Sequence, residues 1–139
     1  MKILGIDFGD ARMGLSVSDE NEKLAFCAGT YNVTGIPSAV KAAVDYIQKN
    51  SIGKIVIGLP LNMNGTEGPR CERTKKFAHE LESATGLPIE MYDERSTTVL
   101  AASYMSATGT FGKKRKSVID TLSAQIILQD YLDRKQNIK

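Results

Sequence analysis

"MKILGIDFGDARMG", residues 1–14, is the stretch on which the reading of the whole chain turns. Ile3–Ile6 is an apolar run of the kind a buried strand carries, and Asp7 closes it with a carboxylate. A charge at the end of a buried strand costs free energy unless turn amides, a cation or a metal-held phosphate compensate it. Gly9 and Gly14 follow closely. Met13–Ser18 then alternates Met13, Leu15 and Val17 against Gly14, Ser16 and Ser18, the pattern of a half-buried strand.

Outward from that start, "DENEK" (19–23) reads as a turn and Phe26–Val33 as a third strand, so the first three strands form an antiparallel meander. "GIPSAVKAAVDYIQKN" (35–50) puts Ile36, Val40, Ala43, Val44 and Ile47 on one helical face, with Asn50 as its stop. "GKIVIGLP" (53–60) is a continuous apolar strand of the type covered on both faces. A loop, "LNMNGTEGP" (61–69), leads into a polar helix from about Pro69 to Ser83 with Phe77 and Leu81 turned inward, ended by Gly86. "LPIEMYDE" (87–94) is the last strand, "STTVLAASYMSAT" (96–108) a helix capped by Ser96, "GTFGKKRKS" (109–117) a loop, and Val118 to Arg134 a long final helix. The order predicts a single α/β domain over 1–139 with a mixed five-stranded sheet.

The 139 residues suit one domain; hydrophobic content of 42%, charged content of 24% and a net charge of +2 are those of an ordinary globular chain. So mild a charge does not by itself argue for nucleic acid; only the placement of the charges can. Cys27 and Cys71 form no CxxC pair and His79 is the one histidine, too few soft ligands for zinc. Cys27 reads as core, Cys71 as a candidate for exposure at a helix start, and His79 as surface. Strand-like residues directly after Met1-Lys2 do not resemble a signal peptide, and no apolar stretch nears the roughly 20 residues that span a bilayer. The expectation is a cytoplasmic chain with reduced thiols and no membrane partner.

Four acids stand at element ends: Asp7, Asp93, Glu94 and Asp120. In mixed α/β sheets, strand ends on one edge bring distant residues into one crevice. From Asp120 the stripe i, i+4, i+7, i+11 reads Asp120, Ala124, Ile127, Tyr131, so this acid tops a face that packs on the sheet. Each acid alone has a plain structural use. Asp7 suits the amides of the turn through Gly9, Asp93-Glu94 suit a helix cap or a pair with Arg95, and Asp120 follows Ser117 as in a capping box. Converging carboxylates, however, repel, and the usual remedy is a hard cation such as Mg²⁺ or Mn²⁺ with oxygen ligands. Such ions, in pairs, serve phosphodiester hydrolysis. Two loops suit a phosphate backbone. "GLPLNMNGTEGPR" (58–70) offers glycine amides at Gly58, Gly65 and Gly68, the amides of Asn62 and Asn64, and Arg70, though it is no Walker loop. "GTFGKKRKS" offers Lys113, Lys114, Arg115 and Lys116 beside Phe111.

"GIDFGDARMGLSVSD" (5–19), "IVIGLPLNMNGTEGPR" (55–70), "YDERSTT" (92–98) and "KKRKSVIDTLSAQIILQDYL" (113–132) together resemble, in order and spacing, the YqgF family. That family is also called RuvX and carries both the names pre-16S rRNA nuclease and Holliday junction resolvase. The resemblance covers essentially the whole chain. It implies an RNase H-like fold with the first three strands antiparallel, and a Mg²⁺- or Mn²⁺-dependent nuclease. Its pattern matches Asp7, Asp93 or Glu94, and Asp120 as catalytic acids, with Asp7, Glu94 and Asp120 as metal ligands. Arg12 and Arg95, inside two of the motifs, join Asn62, Asn64, Gly65, Arg70 and the 113–116 cluster as nucleic-acid contacts. Thr121-Leu122-Ser123-Ala124 departs from the paired alanines that often follow the helix acid, but keeps small residues. The implied partners are precursor 16S ribosomal RNA, within or outside a ribosomal particle, or branched DNA. A monomer and a homodimer are both compatible. Weaker alternatives are an ATP-binding module, since DxG also opens actin-like ATPases, and a non-catalytic nucleic-acid-binding factor.

Overall fold

The architecture was taken from a computed structural model, which describes residues 1–9, 11–60, 64–93 and the helix 112–137, the last with side chains for 122–135. The opening stretch is β1, Lys2–Phe8. It is followed by β2 (Arg12–Ser18), β3 (Ala25–Asn32), α1 (Ile36–Asn50), β4 (Ile52–Leu59), α2 (Pro69–Thr85), β5 (Ile89–Asp93) and α3 (Gly112–Asn137). The sheet has five strands in the order β3-β2-β1-β4-β5. β1, β2 and β3 pair antiparallel, and β4 pairs parallel with both β1 and β5. This is the mixed sheet that the meander and the alternating helices predict, in the RNase H-like arrangement that the family resemblance implies.

Both faces of the sheet are covered, which explains the uninterrupted apolar runs in β1 and β4. On one face Leu4, Ile6, Phe8, Met13, Leu15, Ile55 and Ile57 pack against Ala39, Ala43 and Ile47 of α1 and Phe77 and Leu81 of α2. On the other, Ile3, Ala25 and Val56 pack against Ile127, Leu128, Tyr131 and Leu132 of α3. Each fully buried Leu, Ile or Phe contributes about 1.5–3 kcal/mol. α2 starts with Pro69 at its first turn and ends at Gly86, whose φ of 69° lets its amide bond the Glu82 carbonyl.

α3 differs from expectation. The helix begins at Gly112, so Lys113–Ser117 lie in its first turns and not in a loop. The glycine and lysine content that reads as a loop is overridden by continuity with a helix anchored on the sheet. Its contact with β1 is close: an added Cβ on Gly5 would stand 2.9 Å from Leu128 Cβ and 3.3 Å from the Ala124 carbonyl oxygen. The buried Ser16 hydroxyl donates to that same carbonyl at 2.7 Å. α3 also guards the outer edge of β3. The Ala25 amide donates to Gln129 Oε1 (2.9 Å), while Gln125 Nε2 donates to the Ala25 carbonyl (3.1 Å) and Gln129 Nε2 to that of Lys23 (2.9 Å).

Both cysteines correct the sequence reading. Cys27 is exposed, because β3 is an edge strand, and its thiol donates to Gln125 Oε1. Cys71 is buried and donates to the Pro60 carbonyl at 3.2 Å, tying the end of the β4 strand to the start of α2. His79 is exposed, as expected. The proposed helix over 96–108 lies outside the described residues.

Candidate active site

Strand alternation sorts the sheet ends. Ile3 belongs to the α3 face and Leu4, Ile6 and Phe8 to the other, so Asp7 lies on the α3 face at the end of β1, half-buried. Across the sheet at its level, Asp7 pairs with Gly14 and Gly14 with Thr30. On the other side, Gly58 lies one residue beyond the Ile6–Ile57 pair, and it pairs with Tyr92. The row therefore reads Thr30, Gly14, Asp7, Gly58, Tyr92. Arg12 and its partner Asn32 lie two residues further along on the same face.

α3 runs antiparallel to β1. Its C-terminal Tyr131 and Lys135 bond Lys54 and Glu22 near the start of β1, whose N-terminal ammonium lies 3.7 Å from Glu22. Ala124 sits against Gly5. One helical turn back from Ala124, about 6 Å, is Asp120; two residues on from Gly5, about 6.6 Å, is Asp7. The two positions thus lie toward the same end of the α3–β1 contact. Lys113, Lys114, Arg115 and Lys116 lie a further 6–10 Å along the helix by the same rise, past the end of β1.

Asp93 does not join them. It pairs with Leu59, which shares the face of Ile57 and Phe8, so alternation sets exposed Asp93 on the side of the sheet away from Asp7. Glu94, Arg95 and Asn62 lie outside the described residues. Among the described residues no three His, Cys, Asp or Glu side chains gather as a metal site. Asp7 nevertheless fits a hard cation by donor type, being an oxygen ligand bordered by glycine on both neighbouring strands.

The described residues of the 58–70 loop have definite places. Asn64 Oδ1 accepts from the Thr66 amide (3.1 Å) and hydroxyl (2.6 Å), and Gly65 between them has a φ of 87°. Arg70 is exposed, yet it tops the inward stripe Arg70, Thr74, Phe77, Leu81 of α2. Phe77 stacks on Phe8 with centroids 4.6 Å apart, so the start of α2 rises from the same sheet edge as Asp7. The sequence did not single out Thr30 and Asn32, since only the β2–β3 register aligns them with Gly14 and Arg12. It also missed the tie between β5 and α3: the Tyr92 hydroxyl donates to Asp130, and Arg134 lies 5.5 Å from the Tyr92 ring and 3.5 Å from Asp130. Burial, then the Asp130 carboxylate, push the Tyr92 phenol well above its usual range. The i, i+4 spacing of Asp130 and Arg134 was the one available signal.

The five-stranded sheet, antiparallel through β3, β2 and β1 and parallel through β4 and β5, defines the chain as an RNase H-like protein. The chain superposes over 98% of its length on T. thermophilus RuvC in complex with Holliday junction substrate, which is covered over 96%, with a TM-score of 0.63 and 13% identity. With the fowlpox virus resolvase bound to Holliday junction DNA the TM-score is 0.61 at 6% identity, over 97% of this chain and 99% of the other. At such identities these likenesses establish the fold. A family model described as "RuvX: Holliday junction resolvase" matches residues 1–134. A Ruminiclostridium cellulolyticum protein named "Putative pre-16S rRNA nuclease" is 42% identical over 138 residues, covering 96% of this chain and 95% of that one. The chain belongs to the RuvX family.

Proposed function

We propose that this chain is a divalent-metal-dependent endonuclease that hydrolyses phosphodiester bonds in 5′-end maturation of the 16S ribosomal RNA precursor. The observation that carries the reading is that Asp7 lies on the α3 face, toward the end of β1 to which the first turns of α3 run. Family membership supports it, because the relatives it matches over nearly their whole length carry the pre-16S rRNA nuclease name. In this reading Asp7, Asp120 and Glu94 hold Mg²⁺ or Mn²⁺, and Asp93 is the weaker candidate for the third acid. When bound, the metal would supply a Lewis acid and a lowered pKa for attacking water.

The chain's own residues would bind and align the strand to be cut. Arg12 flanks Asp7 on the sheet, while Arg70 and the Lys113–Lys116 cluster, in the first turns of the two covering helices, would reach the strand from above. Four cations at the start of α3 oppose the helix dipole, a cost that an anionic partner would repay. Gly65, Asn64, Asn62 and Arg95 complete the proposed contacts. No helix among the described residues is long and apolar enough to cross a membrane. A cytoplasmic location and a monomer or homodimer belong to the same proposal.

A second reading, a Holliday junction resolvase, draws on the full-length likeness to structures of resolvases on junction DNA. The test is cleavage of a labelled 16S precursor and a four-way DNA junction in Mn²⁺ or Mg²⁺, comparing wild type with Asp7→Asn. Cutting of the precursor alone that vanishes in Asp7→Asn is expected. Cutting of the junction alone moves the assignment to resolvase, and cleavage that persists in Asp7→Asn refutes the site.

A further inference from the structure

The charges of α2 run against its own dipole. Residues 70–76 carry Arg70, Arg73, Lys75 and Lys76 against the single acid Glu72, whereas 77–85 carry Glu80 and Glu82 and no lysine or arginine. A helix favours acids in its first turns and cations in its last, so this order costs α2 stability. An anionic partner along the first half of the helix would offset the cost.

Three of the four cations form one stripe. Arg70, Arg73 and Lys76 stand at i, i+3 and i+6, so successive Cβ atoms are about 5–6 Å apart and the three span about 9 Å of the axis. All three are exposed, while Cys71, Thr74, Phe77 and Leu81 mark the side turned to the sheet. Each step of three residues turns back by about 60°, so the stripe leaves the sheet side at Arg70 and reaches the outer flank at Lys76. Among the described residues neither Arg70 nor Lys76 has an ion pair, and Arg73, which has an interaction of its own, keeps an exposed side chain. Lys75 differs on both counts. It lies about 160° round the helix from Arg73, and its Nζ is 2.5 Å from Glu67 Oε1.

The stripe starts beside the strand ends. The Cys71 thiol donates to the Pro60 carbonyl just after β4, and Phe77 stacks on Phe8, the residue after Asp7. The first half of α2 thus meets the sheet toward the end that bears Asp7, on the opposite face. We propose that Arg70, Arg73 and Lys76 form a track for the phosphodiester backbone of the substrate strand beyond the cut. The strand leaves the α3 face at Asp7, crosses the strand ends and follows the flank of α2. The inference rests on the reading of Asp7 as the centre of cleavage. The track supplies affinity and direction and reads no sequence, because phosphate contacts carry none.

Binding of the labelled 16S precursor and of the four-way DNA junction is read by fluorescence anisotropy without metal, over a range of salt concentrations. The double variant Arg73→Ala/Lys76→Ala should bind about 10-fold or more weakly at about 0.15 M salt. The slope of its log affinity against log salt should fall by about 1.4–1.8, the share of two phosphate contacts. Lys75→Ala, which removes a charge from the far side of the same helix, should stay within about 2-fold of wild type. A loss in Lys75→Ala as large per charge as in the double variant, or no loss in the double variant, overturns the track. The probe on which the contrast appears identifies the strand as RNA or DNA. Mn²⁺ binding to the protein alone, read by electron paramagnetic resonance, should be unchanged in the double variant, and a fall there overturns a track separate from the metal site. Should the double variant lose its fold in a thermal melt, Lys76→Gln carries the test on the same terms, with a slope change of about 0.7–0.9. Asp7→Asn keeps the two failures apart. Cleavage that persists in Asp7→Asn sinks the nuclease site itself, whereas Asp7-dependent cleavage with wild-type binding in the double variant sinks only the track.

Discussion

Gly5→Ala is the sharpest test of how α3 is seated on β1. The new methyl would stand 2.4 Å from Ser16 Oγ, 2.9 Å from Leu128 Cβ and 3.3 Å from the Ala124 carbonyl oxygen. The serine can rotate away, but it then surrenders its 2.7 Å bond to the Ala124 carbonyl in a fully buried place, at about 1–3 kcal/mol. Leu128 Cβ is fixed to the helix backbone, so α3 itself must retreat by about 0.5 Å or more, and overpacking of this kind costs about 1–3 kcal/mol. Removing a strand glycine returns about 0.5–1 kcal/mol. The net loss is roughly 1–5.5 kcal/mol, a melting-temperature fall of about 3–22 °C at this chain length. Thermal melts by circular dichroism measure it, with Ser16→Gly added to Gly5→Ala as the partner experiment. The double variant should recover part of the Gly5→Ala loss, since one of the two clashes disappears. Under conditions where Gly5→Ala stays folded, its cleavage should fall about 10-fold or more, because α3 carries Asp120. A melting temperature within about 2 °C of wild type would refute the close seating of the helix.

Phe77→Ala should cost about 3–5 kcal/mol, since Phe77 is fully buried and stacked on Phe8; urea unfolding reads this, and a loss below about 1 kcal/mol would mean that the start of α2 is not anchored there. Lys135, 2.6 Å from Glu22, holds the Glu22 carboxyl below its usual range, so the stabilisation is present above the unfolded pKa and lost as pH falls through the lowered one. Glu22→Gln should therefore melt slightly below wild type near neutrality, by about 0.2–1 kcal/mol, with the gap closing as the carboxyl is protonated in acid and in high salt; a gap that survives acid would contradict the pair.

Much of this fold could be read from residue order, because β1 and β4 are buried on both faces and their apolar runs have no other use. The inward residues of α2 were as readable, for Phe77 and Leu81 stand alone in a polar helix. What stayed hidden depends on register. That Asp93 stands on the face away from Asp7 follows from its pairing with Leu59, which only the β4–β5 register reveals. Cys27 looked internal because its neighbours are apolar, and only the strand order reveals it as an edge residue. The start of α3 looked like a loop because glycine and lysine are poor evidence of a helix that is held by packing many residues later.

The glutamines that α3 lays along β3 matter also while the chain is being made. β3 is complete long before α3, and until Gln125 and Gln129 arrive the Ala25 amide and the Ala25 and Lys23 carbonyls are open to any other strand. From the end of β5 to the end of α3, synthesis takes roughly 2–9 s at ordinary rates. For that interval the nascent sheet has its β3 edge bare and one face uncovered, and the same helix then closes both and brings Asp120, the acid proposed above as a metal ligand. On the proposed reading of Asp120, active-site assembly and escape from aggregation are one event, so a chain stalled before α3 would be both inert and adhesive.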